Sequence, residues 1–500
     1  MKRIYRTIVL LGAMATLETS CSDWLNVYPS DQIKEEFLFE TGDGYRAALN
    51  GIYRKMASWN IYGSNLKWGL IDAWGQVYNM DLAPIDGGGQ AMKKIEQLKF
   101  TDQELTPTTD QMWNDSWNVV ANCNELAQQA EVADSTLFFS GELERKMILG
   151  EAIGLRAYIQ FDLLRIYAPS PAMNPGNRTF IPYVNVYPAY VNNRETVSYC
   201  LEQIINDLKR AQELLLEVDK NANWRDRFVE AKNDEKLFWY SRGFRLNYYA
   251  VTAELARVYL YAGMLEEAYE QADIILQQRS LFTALTEDDA LDAMRNGNIK
   301  MYDDIIFALY SRKDQIEWDR LINHQYDTED EGENSSFLGI DSYMAEERYG
   351  EDLKKDWRIC YQMEKENYYD YRTLKYYKQT ENKDEGKISN RTLPMIRMSE
   401  VYYIAAEAIF DTNPKEAQGY LELVKKGRGI SKKFDNVTNK SEFINLLVND
   451  ARREFLGEGQ IFYMYKRLNR LMPASSFYDS DVLPTDENMV LPKPDSESNI

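Results

Sequence analysis

The side chains best suited to chemistry in this chain are carboxylates and flat rings. Between positions 62 and 81 stand Tyr62, Asn65, Trp68, Asp72, Trp74, Gln76, Tyr78 and Asn79. Sugars present apolar ring faces edged by hydroxyls, and aromatic plates with Asn, Asp or Gln at the rim are the groups that grip them. A second group of the same kind, Trp318, Asn323, His324 and Tyr326, lies in a polar stretch without helical period. The candidate ligand-binding residues are therefore Trp68, Asp72, Trp74, Tyr78, Asn79, Trp318, His324 and Tyr326. His324 is the only histidine of the 500 residues. Any Ser-His or Cys-His mechanism would need that one residue in place, and multi-histidine metal sites are excluded. The triplet Gly87-Gly88-Gly89 is not followed by the Lys-Ser/Thr pair of a phosphate loop. No cofactor and no metal site are expected. Acidic residues number 79, so a glycosidase-type carboxylate pair stays open on composition.

The elements that must position these groups begin with the N-terminus. Lys2, Arg3 and Arg6 precede an apolar run over 8–17, and Cys21 follows closely. This is a basic region, a short hydrophobic region and a cleavage point. Ending on cysteine rather than on an Ala-x-Ala site, it reads as a lipoprotein signal over 1–20 with Cys21 lipidated, although Glu18 is unusual for a lipobox. An ordinary secretory signal is the alternative. No later run is long and apolar enough for a membrane helix. Net charge is −21, which disfavours nucleic acid, since phosphate binding needs clustered Lys and Arg. Cys123, Cys200 and Cys360 lie far apart without C-x-x-C spacing; buried free thiols are favoured over a disulfide framework or a zinc site.

Helical periodicity dominates after position 43. Helices are expected over 44–56, 107–131, 142–167 and 196–216. The segment 244–278 reads as a helix hairpin turning at Gly263, with Ala253, Ala256, Ala268 and Ala272 on facing sides. Residues 398–426 repeat that pattern around a turn at 411–414. Such pairs resemble tetratricopeptide repeats, drawn from about 142–278 and 396–426. The stretches 57–106 and 281–392 break the rhythm and form an irregular lobe, with a short strand expected over 305–310. Long irregular segments in a compact protein commonly carry function. The fold class is thus mainly α: a tetratricopeptide-like helix-hairpin scaffold with an irregular, partly β and loop-rich lobe, 21–500 forming one body.

Several phrases, in order, resemble the SusD/RagB family. They are Ala47-Ala48-Leu49-Asn50-Gly51-Ile52-Tyr53, the helix from Trp117 to Asn124, Glu151-Ala152-Ile153-Gly154-Leu155-Arg156-Ala157-Tyr158, the run from Ile396 to Ala408, Arg452-Arg453-Glu454-Phe455-Leu456-Gly457-Glu458-Gly459, and Leu491-Pro492-Lys493-Pro494. The resemblance implies a SusD-like helical fold and a lipid-anchored, cell-surface place on the outer membrane. It also implies an oligosaccharide ligand passed, without catalysis, to a SusC-like TonB-dependent transporter. A peptide ligand, as in a RagB-like uptake system, is the alternative; glycoside hydrolysis and a purely protein-binding scaffold are the remaining readings. The charges in these phrases (Arg397, Glu400, Glu407, Arg452, Arg453, Glu454 and Glu458) read as buried ties between helices.

Overall fold

The computed structural model describes residues 35–84, 88–189, 192–220, 222, 224, 227–228, 239, 241–282, 298–311, 336–365, 368–376, 392–434, 436–476 and 479–497. Cys21, the expected signal over 1–20, Trp318, His324 and Tyr326 lie outside the described residues. The helices of eight residues or more are α1 (Gly42–Met56), α2 (Gly89–Glu96), α3 (Thr106–Val132), α4 (Glu142–Tyr167), α5 (Val197–Asp219), α6 (Tyr248–Ala262), α7 (Leu265–Leu276), α8 (Ser342–Tyr349), α9 (Met398–Ile409), α10 (Pro414–Lys426), α11 (Lys440–Glu454) and α12 (Ile461–Leu468). None of the described helices is long and apolar enough to cross a membrane.

Local sequence explains the helix ends. The Thr41, Thr196, Asn247, Asn413 and Asn439 side chains accept from backbone N–H groups in the first turns of α1, α5, α6, α10 and α11, satisfying donors that a helix start leaves free. Pro414 opens α10, where its missing N–H costs nothing. Gly263 closes α6 in the left-handed region at φ +79°, so the chain turns at once into α7.

The helices form a layered scaffold. α4 packs on α3 and α5, α6 on α7, α7 on α9, and α9 on α10. α4 is covered on every side, and its residues from Met147 to Tyr167 are all buried, the charged ones among them paired. Gly154 makes this closeness possible: a Cβ there would lie 2.5 Å from Leu246 Cδ2. The facing alanines of the hairpins, Ala253, Ala256, Ala268 and Ala272, are all buried. Consecutive α-hairpins thus carry the mainly α, tetratricopeptide-like fold.

Strands are few and short. β1 (Thr179–Ile181) pairs antiparallel with β2 (Glu195–Thr196). β3 (Ile305–Tyr310) pairs antiparallel with β7 (Thr392–Arg397), and β3 covers the expected 305–310 run. β4 (Gly339–Asp341), β6 (Asp370–Thr373) and β5 (Met363–Lys365) make a three-stranded sheet in that order.

The family-like charges do tie elements together. Arg397 Nε donates to Glu458 at 2.6 Å, Arg257 to Glu400 at 2.6 Å, and Arg467 to both oxygens of Glu407 at 2.5 and 2.6 Å. Glu454 accepts from Arg428 and Arg358, and Arg453 from α11 reaches Asp352 and Asp356. Cys123, Cys200 and Cys360 are free thiols; the first two are buried, and Cys360 is exposed, contrary to the expected burial of all three.

Candidate functional site

The residues expected to grip ligand between 68 and 78 are in the core. Trp68 and Trp74 have no exposed surface. Trp68 meets Trp59 edge-on at 5.3 Å and donates its Nε1–H to the Gly63 carbonyl at 2.7 Å. Trp74 stacks on Phe462 at 3.8 Å and donates to the Asn488 carbonyl at 2.9 Å. Tyr78 is buried beside Asp72. Burial pushes the Asp72 carboxyl up to about 7, opposed by the Gly459 N–H it accepts at 2.9 Å. Such a value is common at active sites, yet the group is wholly enclosed and serves to hold the Gly459 turn. The expectation of exposed platforms at Trp68, Trp74 and Tyr78, with Asp72 at their rim, is corrected. Rings packed on neighbours and with satisfied indole donors have no face to offer a ligand. Asn79 is half-buried and binds Asp341 Oδ2 at 2.7 Å, stitching its loop to the start of α8. In that same lobe, Tyr368 and Tyr369 are 85% and 68% exposed between β5 and β6.

The structure instead brings together a cleft of about 860 Å³ on the helical scaffold. Trp113, Trp117, Val120 and Ala121 line it from one face of α3, at spacings of four, seven and eight residues. Phe180 of β1 and the segment 182–189, including Val184, Val186 and Tyr187, form the opposite wall. Asn192, Asn193, Arg194, Lys493 and Glu497 stand at the rim. Aromatic walls with a few polar groups at the edge are the usual make-up of a small-molecule site.

The wall is held by Asn124 and Arg156 of the family-like phrases and by Gln128 and Gln160 just beyond them. Asn124 donates to the Val184 and Val186 carbonyls at 3.2 and 3.4 Å. Gln160 both donates to and accepts from the Val184 backbone, at 3.1 and 2.7 Å, and Gln128 does the same for Tyr187 at 2.8 and 2.7 Å. Arg156 forks onto Asp207 at 2.6 and 2.7 Å and reaches the Asn185 carbonyl at 3.3 Å. The β1–β2 pairing makes the wall leave and return at one place. The C-terminal segment is fixed by Leu491, whose N–H donates to the Ile166 carbonyl at 3.1 Å, and by Lys493, whose Nζ donates to the Phe180 carbonyl at 3.0 Å. Two- and three-point anchoring of this kind gives a site its precision.

Trp117 is half-buried and its Nε1–H has no hydrogen-bond partner. Trp113 meets it edge-on at 5.5 Å and is itself braced by Tyr167 at 4.6 Å. A buried indole donor ordinarily finds an acceptor, and this one is enclosed within the wall of the cleft rather than open to it. Sequence reasoning did not single out Trp117, Tyr187 and Arg194, which line the cleft. A signal existed for Trp117, which falls within the phrase ending at Asn124; for 182–194 the chain shows only a loop.

Two family models match the chain: one described as SusD family over residues 300–479, and one described as starch-binding associating with outer membrane over residues 84–228. The chain is 23% identical over 308 residues to SusD-like protein P2 of Formosa agariphila, a match covering 60% of this chain and 52% of that protein, so it spans about half the length of that relative. Among solved structures, a SusD superfamily protein of Bacteroides thetaiotaomicron superposes with a TM-score of 0.70 at 23% identity, over 92% of this chain and 98% of the other. A SusD-like carbohydrate binding protein of Bacteroides vulgatus gives 0.69 at 17% identity, over 92% and 96%. Models of the SusD type thus match 84–228 and 300–479, and the chain shares the fold of SusD superfamily structures along nearly its whole length.

Proposed function

We propose that this protein is a non-catalytic oligosaccharide-binding lipoprotein of the cell surface, anchored in the outer membrane through Cys21, that hands its ligand to a SusC-like TonB-dependent transporter. The observation that carries the binding role is the cleft of about 860 Å³, with its aromatic walls and amide rim. The name of the Bacteroides vulgatus neighbour supports carbohydrate as the ligand class, and the name of the model over 84–228, the segment that builds most of the cleft, supports starch-like glycan and the outer membrane. The signal-like start and Cys21 support the anchor. The resemblance of the chain's motifs supports the transporter partner.

Calorimetric titration with a panel of oligosaccharides tests the reading. At least one should bind without being cut, and Trp117→Ala should weaken it by about fivefold or more, a lost stacking contact being worth roughly 1 kcal/mol. Product release would refute the non-catalytic role. Silence toward every sugar with affinity for peptides would replace the ligand by peptide.

A further inference from the structure

The rim of the cleft carries two cations side by side. Most buried arginines here are matched with carboxylates: Arg156 with Asp207, Arg242 with Asp219 and Glu151, Arg428 with Glu454 and Asp304. Arg194 and Lys493, both half-buried, instead bond backbone carbonyls, as the buried Lys67, Lys466 and Arg227 also do. Arg194 Nη2 donates to the backbone carbonyl of Glu497, and Lys493 Nζ to that of Phe180. Among the described residues, neither cation has a carboxylate side chain within salt-bridge distance. Both line the cleft together with Glu497, so the three charges leave the rim one unit positive in a chain of net charge −21. Partial burial pulls the Lys493 ammonium below its ordinary value, and the neighbouring Arg194 pulls it the same way, while Glu497 pushes it back up. Two cations held near one another repel, and Glu497 offsets only one of the two charges, so a second anion would be stabilised there. Guanidinium offers a planar fork and ammonium a point charge, and both suit a carboxylate or sulfate.

We propose that the cleft recognises an anionic sugar, a ring that lies against Trp117 and Tyr187 while its carboxylate or sulfate meets Arg194 and Lys493. This rests on the oligosaccharide reading of the same cleft and narrows it. Lys493 is tied to the backbone of the aromatic wall at Phe180, so its charge stands one residue position from the apolar surface rather than on a free tether. Glu497 remains to accept from hydroxyls.

The test is calorimetry on the detergent-solubilised full chain with matched pairs of probes. One pair is tetragalacturonate and its fully methyl-esterified form; the other is a sulfated carrageenan tetrasaccharide and its desulfated form. The charged member of one pair should bind at least tenfold tighter than its neutral partner at low salt, and the two pairs distinguish carboxylate from sulfate. Arg194→Gln with Lys493→Gln should erase that preference, and Arg194→Lys with Lys493→Arg should retain most of it. Trp117→Ala, which removes the ring, should weaken both members of a pair alike. Equal binding of charged and neutral members overturns the proposal. So does charge preference that survives the double glutamine variant, or binding confined to neutral glycans, which would leave the oligosaccharide role standing. Failure to bind any glycan sinks both.

Discussion

Glu458 holds together the charged centre beneath the 454–459 turn, and its removal is the sharpest test of the packing described above. Its carboxylate accepts from Arg397 Nε at 2.6 Å and from Lys375 Nζ at 2.8 Å, and all three side chains are almost wholly buried. Burial alone would raise the carboxyl; Arg397 and Lys375 more than reverse this and hold it at about 2, against an ordinary 4.5. At about 1.4 kcal/mol per tenfold weakening of proton binding, that depression corresponds to about 3 kcal/mol of folding stability. The figure agrees with the roughly 3–5 kcal/mol lost when one partner of a buried ion pair is deleted. Burial lowers Lys375 and Lys300, and takes Lys67 down to about 8; Glu458 counters this in each case, so the loss would leave several cations uncompensated. Glu458→Gln should therefore cost about 3 kcal/mol at pH 7, read from urea unfolding. The sign with pH follows from the depressed value. The stability Glu458 contributes is complete above pH 4.5 and drains away as pH falls toward 2. The gap between the two proteins should accordingly narrow below pH 4.5. A loss under 1 kcal/mol at pH 7, or a gap that stays constant from pH 7 to pH 3, would refute the reasoning.

Two further outcomes are expected. Trp74→Ala should destabilise the fold by about 3–5 kcal/mol, as for a large ring removed from a packed core, and leave glycan affinity of the folded protein unchanged; a binding loss without a stability loss would restore Trp74 as a ligand platform. A thiol-reactive probe added to native protein should label Cys360 and spare Cys123 and Cys200, whose thiols burial pushes up to about 12; peptide mapping that finds Cys123 modified under native conditions would contradict the close packing of α3 on α4.

What the chain determined by itself is its scaffold. The 3.6-residue periodicity, the caps and the alanine faces place α4 at its observed bounds and the hairpins α6–α7 and α9–α10 within a few residues of theirs, because these signals are local and each helix needs one buried stripe. The short apolar run at 305–310 was legible as a strand for the same reason. The buried ion pairs of the Ile396 and Arg452 phrases were legible as well, since charges set among apolar residues at helical spacing can be buried only when paired. The proposed ligand surface was not legible. An aromatic ring has the same sequence signature whether it stacks on a sugar or on Phe462, and only the packing of 59–80 against α12 and its neighbours turned Trp68 and Trp74 inward. The cleft draws on α3, on the segment around β1 and β2, and on the C-terminal run at 493–497, pieces separated by up to several hundred residues. No local pattern announces that meeting. Tertiary structure alone decided it, through backbone hydrogen bonds from Asn124, Gln128, Gln160 and Arg156 that fix where a loop must lie.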